Sequence, residues 1–150
     1  MKRSILTMLL TVICFFSMAQ SKDNGQELID TFFDYYKTKG YSAALKYSLS
    51  TNKWIKSNGT EMDNIILALS KQVDVMGEYL GYEEIRSRML GSRYRIVSYL
   101  VYYVHDPVRF TFELYKTSTG WEISNFEFDT TFTDELEESM KLTSNSPGFR

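Results

Sequence analysis

Residues 93–129 read RYRIVSYLVYYVHDPVRFTFELYKTSTGWEISNFEFD, and this stretch decides the fold. Ile96 to Val104 is a nearly unbroken apolar and aromatic run, closed by the turn chemistry of His105-Asp106-Pro107. Val108, Phe110, Phe112 and Leu114 then alternate with Arg109, Thr111, Glu113 and Tyr115. A polar turn, Thr117-Ser118-Thr119-Gly120, leads into Trp121, Ile123, Phe126 and Phe128. Period-two alternation marks strands with one face on a core, and connections this short join antiparallel neighbours.

Two details refine this sheet. A two- or four-residue loop at His105-Asp106-Pro107 places Tyr99, Val101 and Tyr103 on the same face as Phe110, Phe112 and Leu114, whereas an odd-length loop swaps the faces. In the last strand the apolar parity shifts between Ile123 and Phe126. One extra residue near Asn125 repairs it, as a β-bulge does, and bulges bend sheets.

Upstream the periodicity becomes helical. Asp23 or Asn24 can cap a helix in which Leu28, Ile29, Phe32, Phe33 and Tyr36 share a stripe, with Gly40 as its stop. A shorter helix follows over residues 42–50, and Trp54 and Ile55 fall in a turn ending at Ser57-Asn58-Gly59. Thr60 and Asp63 fit a capping box for a third helix. Its stripe is Met62, Ile65, Ile66, Leu69, Val73 and Met76, and Gly77 or Gly81 ends it. Glu84 to Leu90 reads as the first strand, and residues 134–141 as a short acidic helical turn. The expected fold is therefore α+β: about three N-terminal helices on the concave side of a curved four-stranded antiparallel meander in order 1-2-3-4. Its core should include Phe32, Phe33, Ile66, Leu69, Val101, Phe110, Phe112 and Trp121.

The first residues read as a signal peptide over 1–19. Lys2 and Arg3 form the positive region, Ile5 to Phe16 the apolar one, and Ser17-Met18-Ala19 the cleavage site before Gln20. The apolar run is shorter than the roughly 20 residues that a bilayer requires, so no stable membrane insertion is expected. Cys14, the only cysteine, lacks the small preceding residue that lipidation favours and leaves with the signal. A single domain is expected over 20–143 and a loose Ser-, Asn-, Pro- and Gly-containing tail over 144–150. The protein would be periplasmic or secreted, held by its core without disulfides. An aromatic content of 15% supplies much of that core. A net charge of −2 with both signs scattered offers no basic stripe, so no nucleic-acid partner is expected.

Identifiable chemistry is sparse. His105 is the only histidine, and beside Asp106 it reads as turn chemistry rather than half of an acid–base pair. Glu83-Glu84 and Asp134, Glu135, Glu137 and Glu138 lack the spacing of a calcium loop, so neither metal nor other cofactor is expected. Asn58-Gly59-Thr60 matches a glycosylation acceptor that only a eukaryotic secretory host would use. The tyrosines are more suggestive, since a buried tyrosine hydroxyl needs a partner. Tyr36, Tyr99, Tyr103 and Trp121 are the candidate lining of a ligand pocket, with a tightly filled aromatic core as the competing reading. Strand two has no polar face, so Leu100, Tyr102, Val104 and Tyr115 form a candidate interface on the outer side of the sheet.

Helices followed by a bent antiparallel meander, ending in Trp121-x-Ile123 with Phe126-x-Phe128-Asp129 behind it, resemble the NTF2-like (cystatin-like α+β) superfamily. The pattern Pro107-Val108-Arg109-Phe110-x-Phe112, Tyr115-Lys116 and Gly120-Trp121 is similar to small exported bacterial domains of that group. The resemblance covers roughly Glu27 to Asp129. It implies a cone-shaped fold with a possible pocket and sheet-to-sheet homodimerisation, and it transfers no activity. The expected function is an exported, non-enzymatic binding module of the cell envelope that engages a small ligand or another exported protein. The rival is an isomerase- or dehydratase-like enzyme with a pocket carboxylate and a tyrosine, for which Asp34, Glu78 and Glu113 are poor candidates.

Overall fold

The computed structural model describes residues 24–52 and 59–144. The signal peptide, Asp23, Trp54, Ile55, Ser57, Asn58 and residues 145–150 of the tail lie outside them. Helices α1 (Gln26–Lys39), α2 (Tyr41–Ser50) and α3 (Gly59–Met76) precede strands β1 (Tyr79–Leu90), β2 (Tyr94–Tyr103), β3 (Val108–Lys116) and β4 (Trp121–Asp129). A fourth helix, α4 (Phe132–Ser144), follows them. The strands form one open antiparallel sheet in order β1-β2-β3-β4. The class is thus α+β, as the alternation predicted, but with four helices. The expected acidic turn at 134–141 is the middle of α4.

The sheet register follows from the hairpin loops. Val104 to Pro107 make a four-residue connection, so Val97 faces Phe112, Tyr99 faces Phe110 and Val101 faces Val108. The odd residues of β2 and the even residues of β3 therefore share one face, and all of them but Lys116 are buried. In β4 the register slips between Glu113, opposite Asn125, and Leu114, opposite Ile123. Ser124 is the inserted residue, and its Oγ donates to the Glu113 carbonyl at 3.0 Å. The bulge restores Ile123 and Phe126 to the same buried face.

Helix α1 lays Ile29, Phe32, Phe33 and Tyr36 onto that face. Phe32 is the hub, with ring centroids 4.9 Å from Phe112, 5.3 Å from Phe33 and 5.6 Å from Phe126. The contacts with Phe112 and Phe33 are edge-to-face, a geometry that adds to the burial energy of each ring. Ala44 and Leu45 of α2 and Leu69 of α3 complete the cluster. Ile66 and Trp121, expected in the core, pack against it only half-buried.

Three boundaries differ from expectation. Strand β1 begins at Tyr79 rather than Glu84, because Tyr79 pairs with Tyr103 at the far end of β2. Gly81 lies inside this strand at a register slip, which leaves Gly77 as the residue beyond α3. At the start of α1 the cap position is Gly25, in a left-handed conformation (φ 77°), while Asn24 Oδ1 accepts from the Gln26 amide at 3.1 Å. Thr60 falls inside α3, whose first residue is Gly59.

Candidate functional site

Three regions bring polar or exposed apolar chemistry together. The first is the tyrosine cluster inside the core. Tyr36 of α1 and Tyr103 of β2 are both buried and joined hydroxyl to hydroxyl. Tyr79 stands beside them, its ring 5.1 Å from that of Tyr36. Burial raises the Tyr103 hydroxyl to about pKa 12 and the Tyr36 hydroxyl higher still, because an ionised phenol has too little water there. The other faces of these rings are taken by Phe32 and Phe110, at 6.0 and 5.8 Å from Tyr36.

The second region sits where α1 begins. Arg95, on the inward side of β2, is buried. Its Nε donates to Ser87 Oγ at 2.8 Å, Nη1 donates to the Asn24 carbonyl at 3.4 Å, and Nη2 lies 3.5 Å from Glu84 Oε2. The Tyr99 hydroxyl donates to the same Glu84 oxygen at 3.4 Å and accepts from Gln26 Nε2 at 3.1 Å. Glu84 keeps 44% of its side chain exposed, so the buried guanidinium has a hydrated counter-charge. Sequence reasoning passed over Arg95. Parity could have found it, since it continues the inward series Val97, Tyr99, Val101, Tyr103.

The third region is the outer face. Helix α4 lies across part of it, tied down by Arg109. The guanidinium donates to Asp129 through Nε at 2.9 Å and to Glu135 through Nη1 at 2.7 Å and Nη2 at 3.0 Å. These hydrogen bonds, with the attached charge, hold the Glu135 carboxyl below its ordinary range. Beneath α4 is a concavity of about 450 Å³ lined by Ile85, Arg86, Ser98, Leu100, Arg109, Phe132, Glu135 and Leu136. A second, of about 490 Å³, opens beside Met76, Asp106, Pro107 and Thr130.

The candidate pocket residues are only partly brought together. Tyr36 and Tyr103 touch, and Tyr99 is buried farther along β2 with its ring 5.2 Å from Phe33. Trp121 lies at the opposite end of the sheet, paired with Lys116 and close to Gly25. Among the candidate interface residues, Leu100 lines the concavity beside α4 and the Tyr102 hydroxyl donates to Glu83 at 3.1 Å. Val104 is exposed in the β2–β3 turn. Tyr115 pairs with Tyr94, six residues along β2 from Leu100 and so roughly 20 Å away. Asp34 and Glu78 are exposed, and Glu113 points outward, where it accepts from the Tyr94 hydroxyl. His105 and Asp106 are exposed at the turn, and the His105 amide donates to the Met76 carbonyl at 2.9 Å. Among the described residues no group of three metal-ligating side chains converges, and no helix is long and apolar enough to cross a membrane. Comparison with protein-family models, curated proteins and solved structures gives no match.

Proposed function

We propose that the chain is an exported, non-enzymatic binding module of the cell envelope, and that its partner is another exported protein rather than an enclosed small ligand. The observation that carries this reading is the Tyr36–Tyr103 contact. The two hydroxyls best placed to greet a ligand satisfy each other, and aromatic rings fill the space around them. What the surface offers instead is the outer face. There Ile85, Leu100, Phe132 and Leu136 border a shallow concavity, with Arg86 and Arg109 at its rim. A mixed apolar and charged surface of this type suits a protein partner.

The helices laid against a bulged antiparallel sheet support the NTF2-like resemblance and its cone-shaped architecture. The sequence of residues 1–20 supports cleavage after Ala19 and a periplasmic or secreted destination. Intact mass of the natively exported protein tests this, the expected chain beginning at Gln20. Native mass spectrometry of the same material tests the ligand question. A bare chain is expected. A copurified small molecule that is lost on Tyr36→Phe or Tyr103→Phe would overturn the reading in favour of a ligand pocket.

One observation favours the enzymatic alternative: Tyr99 and Glu84 stand 3.4 Å apart, a tyrosine and a carboxylate of the kind an isomerase or dehydratase uses. The exposure of Glu84 argues against it, because water has free access to the carboxylate.

A further inference from the structure

Strand β1 is an edge of the sheet, and from Tyr82 to Leu90 every residue is exposed. An edge strand keeps a row of backbone donors and acceptors turned away from its one neighbour. Proteins usually protect such edges with charge, and β1 carries Glu83, Glu84, Arg86 and Arg88. These charges are sorted, however: the acids precede Ile85 and the arginines follow it. A strand of one sign would repel its own kind, whereas an acidic half followed by a basic half is complementary to itself when turned antiparallel.

The pairing of β1 with β2 fixes which way its side chains point. Tyr82, Glu84, Ser87 and Met89 lie opposite Val101, Tyr99, Val97 and Arg95, all inward residues. Gly81, Glu83, Arg86, Arg88 and Leu90 lie opposite Tyr102, Leu100, Ser98, Ile96 and Tyr94 on the outer side. The register slip between Glu84 and Arg86 changes the parity halfway along, with Ile85 as the additional residue. That change has a consequence for self-pairing. When two copies of β1 run antiparallel about an axis between Ile85 and Arg86, Tyr82 faces Met89, Glu83 faces Arg88, Glu84 faces Ser87 and Gly81 faces Leu90. Every one of these pairs falls on a common side of the joined sheet. Without the inserted residue, each pair would set an inward side chain against an outward one.

We propose that the β1 edge joins a second copy of this chain, giving a continuous eight-stranded antiparallel sheet across a two-fold axis. Two Glu83–Arg88 ion pairs flank that axis on the outer side. On the inner side two Tyr82–Met89 contacts cover rings and thioethers that are 37% and 40% exposed in the single chain. This inference shares Ile85 and Arg86 with the border of the partner-binding face above, but it rests on the β1 edge and does not depend on that reading.

Sedimentation equilibrium on the mature protein, up to high micromolar concentration, tests it. A dimer is expected, and Arg88→Glu should weaken it about tenfold or more by setting like charges opposite each other. Glu83→Arg should do the same, and the combined exchange E83R/R88E should restore association. Within one chain these two residues are five apart along an extended strand, roughly 16 Å, so the restoration would be intermolecular. Circular dichroism spectra unchanged in all three variants establish that each is folded, while the melting temperature of the two single variants falls with the lost association. A strict monomer, a dimer indifferent to both reversals, or a combined variant that stays monomeric would overturn the proposal.

Discussion

Tyr36 on α1 and Tyr103 on β2 meet hydroxyl to hydroxyl in the core, so each is the other's hydrogen-bond partner. Removing one oxygen leaves a buried polar group without a mate, and removing both replaces a polar contact with an apolar one of similar shape. Tyr103→Phe alone should therefore cost about 1–3 kcal/mol, and the double variant with Tyr36→Phe less than the two single losses added together. Denaturant titration of the four proteins reads the cycle. Strictly additive losses would mean that the hydroxyls do not depend on each other.

The same burial gives a signature in alkali. The ordinary tyrosine value is 10.0, and Tyr103 in the folded chain is raised to about 12. Between these values an unfolded chain has released this proton and a folded one retains it. The unfolded state then binds fewer protons, so stability is intact below pH 10 and falls as pH rises from 10 towards 12. Spectrophotometric titration should find a fraction of the tyrosines that ionise only as the protein unfolds. Complete phenolate formation near pH 10 with the fold intact would contradict the burial of this pair.

Phe112 and Tyr115 separate core from surface within one strand. Phe112 is fully buried, with its ring 4.9 Å from Phe32 and 5.2 Å from Phe126, whereas Tyr115 is 43% exposed. Phe112→Ala should cost about 3–5 kcal/mol, since neither α1 nor β4 can collapse into the space left behind. Tyr115→Ala should stay within about 1 kcal/mol. A chemical denaturation midpoint measures both, and comparable losses would show that the strand register is wrong.

Much of the sheet was legible because its signals are local. Val108 to Leu114 alternates cleanly, and the parity break between Ile123 and Phe126 can be repaired only by an extra residue, found at Ser124. The helical stripe of α1 likewise maps onto its buried face. Other features depend on partners remote in sequence. Tyr79 to Glu83 join the sheet because β2 is long enough to pair with them, and no local pattern of Tyr, Leu and Gly announces that. The apolar outer residues of β2 suggest an open interface, and Leu100 there lines a concavity together with Phe132, Glu135 and Leu136 of α4, whose Glu135 is held from β3 by Arg109. Residues 132–144 look like solvated charge until that arginine is considered. For the candidate pocket, sequence could name Tyr36, Tyr99, Tyr103 and Trp121 as neighbours of the core. It could not reveal that two of them spend their hydroxyls on each other while Trp121 lies at the opposite end.

Gly25 and Gly40 offer the last comparison, because both adopt positive φ, 77° and 84°, in different surroundings. A Cβ at Gly40 would meet nothing within 4 Å. A Cβ at Gly25 would come within 3.1 Å of Leu114 Cδ1 and 3.2 Å of the Trp121 ring. Their backbones differ as well: Gly25 (ψ 11°) is in the left-handed helical region, where alanine costs about 1–2 kcal/mol, whereas Gly40 (ψ 168°) is in a region held almost only by glycine, where alanine costs about 1–3 kcal/mol. Only Gly25→Ala adds a steric cost, and that cost falls where α1 enters the sheet beside Leu114. Each variant should therefore lower stability by at least about 1 kcal/mol, and only Gly25→Ala should also change the fluorescence of Trp121. Trp54 emits in both variants, so the comparison rests on the difference between them. Spectra that are the same in the two variants would mean that α1 does not approach β3 and β4 this closely at its first turn.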